Sequence, residues 1–168
     1  MKTQSGETLD LGGKVYKTIN INGVIWMAEN LALLVKDSWF YQDDARYGEQ
    51  HGMLYTWQAA MDNCPQGWKL PSVEDWQEMI NSFGNESIAI KNILEGRNNN
   101  DGLNIRFSGY RTQHGDFLSL NRAADFWTST QAGESNAWLR YILYKKEKVF
   151  KIIDDKRCGF SVRYIKKK

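Results

Sequence analysis

Trp76, Met79, Ile80 and Phe83 recur at i, i+3, i+4 and i+7, which lines up one apolar face of a helix. Ser72 stands just ahead with Asp75 three residues on, the spacing of a capping box, and Gly84 closes the run. The pattern predicts a helix over 73–83. Trp57, Ala60 and Met61 share one face of a preceding helix over 55–63, and Ile88, Ile90, Ile93 and Leu94 mark a shorter third one over 86–94. Near the start, Val15, Lys17, Ile19 and Ile21 alternate with Tyr16, Thr18 and Asn20, which is a strand pattern. Asn22-Gly23 suits a type I′ turn, where both central residues need positive φ, and Val24–Met27 returns. A hairpin over 14–28 follows. Residues 1–13 are polar and glycine-rich and read as a flexible lead-in to a single domain over 14–166.

After Leu103 the period changes from helical to alternating. Strands are expected over 104–111, around Leu118 and Leu120, over 126–130, 137–144 and 149–153, and through Phe160, Val162 and Tyr164. Turns fall at 112–116, 145–148 and 154–157. Residues 28–50 are irregular and aromatic, and 96–102 is a polar, asparagine-rich loop. Helices in the first half and an antiparallel meander in the second make the fold class α+β.

A chain of 168 residues fits one domain, and at 42% hydrophobic and 13% aromatic it can build a core. No run approaches the roughly 18 apolar residues of a membrane-spanning helix, so no membrane insertion is expected. Met1–Glu7 lacks the apolar segment of a signal peptide. The setting is therefore a cell surface or a secreted one if a leader was removed, and otherwise a phage particle or the cytoplasm. The net charge of +2 divides unevenly. Residues 145–168 hold ten Lys/Arg against three Asp/Glu, a balance of +7, which leaves −5 for the rest. A basic end of this kind attracts phosphates or acidic partners, or is simply a solvated tail. The second reading is preferred, and no nucleic-acid binding is expected.

Both prolines, one of the two cysteines and two of the seven tryptophans fall within Cys64-Pro65-Gln66-Gly67-Trp68-Lys69-Leu70-Pro71-Ser72-Val73-Glu74-Asp75-Trp76. Around it, in order, come Val15–Ile19, Trp26-Met27-Ala28-Glu29-Asn30-Leu31, Tyr47-Gly48, Leu54–Ala60, Phe126–Thr130 and Gly159-Phe160-Ser161-Val162-Arg163. This succession resembles the Fibrobacter succinogenes major paralogous domain over nearly the whole chain. The Trp-x-Leu-Pro-Ser helix start is similar to that of C-type-lectin-like folds, including sulfatase-modifying-factor domains. The resemblance implies a C-type-lectin-like fold with an N-terminal hairpin, two to three helices and a C-terminal meander. It also implies a scaffold that recurs among hypervariable receptor-binding proteins of phages and bacteria, diversified by retroelements in the C-terminal third. The family usually has its second cysteine directly after Val-Arg. Here that position is Tyr164 and Cys158 comes six residues earlier, so two free thiols are expected rather than a bridge.

Little in the chain points to catalysis. There is no phosphate-binding glycine loop. His51 and His114 lie in separate glycine-flanked loops, and no nucleophile elbow accompanies them. Asp43, Asp44, Glu49 and His51 do not have the spacing of a calcium loop, and neither metal nor cofactor is expected. The calcium motifs of sugar-binding lectins are absent, as is the close cysteine pair of the sulfatase-modifying enzymes. The reading is a non-catalytic module for a protein or glycan ligand. A sulfatase-modifying type of enzyme is the runner-up, and a binder of anionic polymers or nucleic acid through the basic end comes third. Rings and arginines on loops and sheet are the usual interface anchors. The candidate ligand-binding residues are Asn98, Asn99, Asn100, Tyr110, Arg111, Trp138, Arg140 and Tyr141.

Overall fold

A computed structural model describes residues 4–5, 7–91 and 102–167. Two sheets share the interior. The first has the order β1–β4–β5–β13, from Gln4–Ser5 (β1), Thr18–Ile21 (β4), Val24–Met27 (β5) and Ile165–Lys167 (β13). Leu9–Leu11 (β2) and Lys14–Tyr16 (β3) form a small hairpin of their own beside it. Asn22 and Gly23 both have positive φ at the β4–β5 turn, and the Asn20 side chain accepts from the Gly23 amide at 2.9 Å. The expected hairpin over 14–28 is thus confined to 18–27. In the described part of the lead-in, Leu9 is buried and 4–5 pair with β4, so that part is packed rather than flexible. Antiparallel pairing of Ile165 with Trp26 brings the two ends of the chain into one sheet.

The second sheet has the order β12–β11–β10–β8–β9, from Ser108–Arg111 (β8), Phe117–Leu120 (β9), Ala123–Gln131 (β10), Asn136–Leu143 (β11) and Val149–Asp155 (β12). It departs from a plain antiparallel meander, because β8 lies parallel to β10 through Gly109 and Ala124. Gly109 has φ +64°, and a Cβ there would stand 2.3 Å from the Leu118 carbonyl oxygen, so β9 approaches where no side chain fits. Ser38–Trp39 (β6) pairs with Leu54–Tyr55 (β7) to frame the irregular 28–50 segment. That segment also holds the one-turn helix Gly48–His51 (α1).

Trp57–Asp62 (α2) starts at Thr56, whose hydroxyl accepts from the Ala59 amide. Val73–Ser82 (α3) carries the capping box read from the sequence, with Ser72 and Asp75 bonding reciprocally. Residues 86–91 are helical, and the rest of the third expected helix lies outside the described residues.

Successive residues of the central strands enter two different cores. Trp26, Phe126 and Ile142 join Trp76, Met79 and Ile80 of α3. Met27, Trp127 and Leu139 join Tyr16, Tyr55, Trp57, Phe160 and Tyr164. A strand buried on both faces reads as a continuous apolar run, which accounts for Phe126-Trp127. Trp76 is the hub of the first core, 5.1 Å from Trp26 and 5.4 Å from Phe126 between ring centroids. In the second, Trp127 meets Phe160 edge-on and donates from its indole nitrogen to the Tyr55 carbonyl at 2.8 Å. Trp68 is only partly buried against the second core.

Candidate functional site

Strand β11 carries three of the candidate residues, and its register places them. Trp138, Arg140 and Ile142 lie opposite Ile153, Lys151 and Val149 of β12. Because strand side chains alternate, these face one way and Tyr141 the other. Helix α3 covers the first face. Arg140 was expected to be an exposed anchor. It is instead only 4% exposed, because α3 lies across it. Its Nη2 donates to the Val73 carbonyl at 2.9 Å and to the Gln77 side-chain oxygen at 3.2 Å. Nε is buried with no partner. Burial draws the guanidinium below its ordinary pKa, with Glu86 and Glu74 opposing, and an arginine still keeps its charge at neutral pH.

Arg140 forms part of the wall of an open cleft of about 500 Å³ between α3 and the outer strands. Gln77, Ile80 and Asn81 supply one side, Lys148, Phe150 and Lys151 the other, and Glu86 closes an end. Gln77 and Asn81 are one turn apart on the outer face of α3, and Gln77 donates to the Asn81 side-chain oxygen at 3.0 Å. Glu86 accepts from the Val149 amide at 3.0 Å, which fixes its carboxylate at the cleft. Lys148 and Lys151 make no ion pair among the described residues and stand 5.3 Å from the ring centroids of Phe150 and Trp138. Arg140, Lys148 and Lys151 thus line the cleft together with one carboxylate, that of Glu86.

Tyr141 stacks on Phe150 with centroids 4.9 Å apart and planes within 15°. Next to them on β12, Ile152 and Ile153 are 49% and 41% exposed. Trp138 and Arg140 thus share one face of β11, and Tyr141 lies on the opposite face. Tyr110 and Arg111 are elsewhere. The Arg111 guanidinium lies 4.0 Å from the Trp39 ring centroid, and Tyr110 packs on Phe160. Asn98, Asn99 and Asn100 lie outside the described residues. Gln77, Asn81, Lys148 and Lys151 escaped the sequence reading. The available signal was the i, i+4 amide pair on the polar side of α3, together with the basic excess after residue 145.

A second cleft, of about 460 Å³, is lined by Gln50, His51, Arg106, Phe107, Asn121 and Tyr144. There His51 Nδ1 is 3.3 Å from Ser108 Oγ, a nucleophile-and-base spacing. Ser108 is only 1% exposed, however, and its hydroxyl donates to the His51 carbonyl at 3.2 Å, so it is a structural strut. Burial first, and then Arg106, lowers the His51 pKa.

The strut belongs to a buried network. Asn30 donates to the His51 carbonyl at 2.9 Å and to Ser108 at 3.1 Å, and it accepts from Arg163 Nε at 2.8 Å. Arg163 also donates to the carbonyls of Met27, Leu103 and Asn104. Two separated sequence motifs, one ending Glu29-Asn30-Leu31 and the other Ser161-Val162-Arg163, therefore meet in one place. A family model described as the Fibrobacter succinogenes major domain matches residues 19–166. The chain belongs to that family. Neither a characterised protein nor a solved structure matches it. Within this Fibrobacter succinogenes major domain the motif residues Trp76, Trp127, Asn30 and Arg163 are all buried, so the signature encodes the scaffold and the cleft lies outside it.

Both cysteines are free. Burial raises the Cys64 thiol to about 11. Burial first, then the neighbouring Asp154, raises Cys158 to about 12. Neutral thiols are poor nucleophiles and poor metal ligands.

Proposed function

We propose that this protein is a non-catalytic ligand-binding module of C-type-lectin-like architecture, displayed at a bacterial or phage surface or secreted. Its ligand is a protein or a glycan that seats in the cleft between α3 and β12. The observation that carries this reading is Arg140: a buried guanidinium, held in place by α3 through Nη2, whose Nη1 is left without a partner among the described residues beside an open cleft. A purely structural arginine would spend that nitrogen on the protein, because unmet buried donors cost free energy. The pairing of β13 with β5 supports the lectin-like assignment, since such domains close by joining their ends. The protonated thiols favour binding over thiol oxidation chemistry. In a diversified receptor-binding protein, variation among close relatives would fall on 95–165, and Arg140, Lys148 and Lys151 lie in that stretch.

Asn81→Trp tests the reading without presuming the ligand. Asn81 is exposed at the cleft, so an indole there fills the opening and leaves the core alone. Glycan and protein arrays probed with the wild type should give hits that this variant loses. Hits retained in full by Asn81→Trp would refute the placement.

A further inference from the structure

We infer that the Arg140 cleft binds an acidic sugar, with the oxyanion held by Arg140, Lys148 and Lys151 and the hydroxyls by Asn81 and Glu86. The inference rests on the binding-module reading and adds the chemical class of the ligand.

The lining itself selects that class. Arg140 Nη2 is committed to Val73 and Gln77, and Nε is sealed, so Nη1 is the guanidinium nitrogen left to the cleft. Lys148 and Lys151 add two cations that no described carboxylate neutralises. Together these call for a negatively charged, acceptor-rich group. Glu86 then decides between kinds of anion. One of its oxygens accepts from Val149 and the other has no described partner. The second Glu86 oxygen calls for a donor, which a bare phosphate or an acidic peptide side chain does not bring beside its anion. Sugar hydroxyls donate and accept at once, so one ring can donate to Glu86 and accept from the Asn81 amide nitrogen. That nitrogen is free because Asn81 uses its oxygen on Gln77. A cleft of about 500 Å³ is within the roughly 300–1,000 Å³ of small-molecule sites.

Calorimetric titration with trigalacturonate at low salt, and with neutral maltotriose as control, tests this. Trigalacturonate should bind and maltotriose should not. Lys148→Glu with Lys151→Glu should weaken binding at least about tenfold, since each reversal turns an attraction into a repulsion. Glu86→Gln is the discriminating variant. It keeps the acceptor for Val149 but removes the charge, so a simple anion trap would bind trigalacturonate more tightly, whereas a site that uses Glu86 to hold hydroxyls would bind it several-fold more weakly. Tighter binding by Glu86→Gln overturns the inference. So does equal binding of inorganic sulfate or of a polyglutamate peptide. If trigalacturonate fails while the arrays yield another ligand lost in Asn81→Trp, the acidic-sugar inference falls and the module reading stands. If nothing sensitive to Asn81→Trp is found, both fall.

Discussion

Replacing Asp125 with asparagine should stabilise the protein near neutral pH, and progressively less as the pH falls. The Asp125 side chain is 6% exposed, and its Oδ2 has no partner. Burial, then the charge of Asp154, raises its pKa from 3.8 to about 7. Tyr110, itself raised by burial and then by the charges of Asp125 and Asp154, shares this apolar and acidic surrounding. Below about pH 4 the carboxyl is protonated in both the folded and the unfolded chain and contributes nothing to pH dependence. Between about 4 and 7 the folded state keeps a proton that the unfolded chain has released, so stability falls as pH rises. Above about 7 the full penalty is present. Three pH units correspond to about 4 kcal/mol at most. The amide is still a buried polar group without an assured partner, so the net gain at about pH 8 should be roughly 1–3 kcal/mol. Urea unfolding of wild type and Asp125→Asn at about pH 5, 6.5 and 8 measures it. The difference between the two should grow with pH. A difference that stays flat across this range would show that Asp125 does not titrate there, and the reasoning would fail.

Three other substitutions probe the scaffold. Trp76→Ala removes the ring that joins Trp26 to Phe126 and should cost about 3–5 kcal/mol in a denaturant titration. Arg163→Met should cost roughly 1–3 kcal/mol or more, because it leaves the Asn30 oxygen and the Leu103 and Asn104 carbonyls unmet, and hydrogen exchange should speed up at 102–107 first. Asp75 is raised by burial but lowered more by Lys69, the Ser72 amide and Lys167, so its pKa is depressed on folding. Its contribution is present above about pH 4 and lost as the pH falls through the folded value, so Asp75→Asn should cost about 1–2 kcal/mol at pH 7 and progressively less as the pH drops below about 4.

The parts of the fold that were legible in the sequence are those set by local chemistry. Asn22-Gly23 fixed its turn because few residues accept two positive φ angles in succession, and Ser72 with Asp75 fixed the start of α3. The parts that were missed depend on distant partners. Leu103, Ile105 and Phe107 alternate as a strand would and are buried, yet 103–107 forms no ladder. The carbonyls of Leu103 and Asn104 are taken by the Arg163 side chain instead. The stretch from Cys158 to Tyr164 likewise reads as an alternating strand, but Ser161 and Arg163 are as buried as Phe160 and Val162. Its backbone pairs piecemeal with Tyr55, Arg111 and Phe126 rather than along one neighbour. The site was half legible for a related reason. An arginine and rings on β11 suggested an interface, but nothing local shows that α3 crosses that face, buries Arg140 and turns Gln77 and Asn81 toward Lys148 and Lys151.

The central claim is that ligand enters the cleft between α3 and β12. Amide chemical-shift mapping with the tightest hit from the glycan and protein arrays tests it most directly, because it locates the contact on an unmodified protein. The largest shifts should fall at Gln77, Ile80, Asn81 and Lys148–Lys151, with Arg140 beneath them. Shifts centred instead on Trp39, Arg111 and Phe117, with the cleft unmoved, would contradict the account.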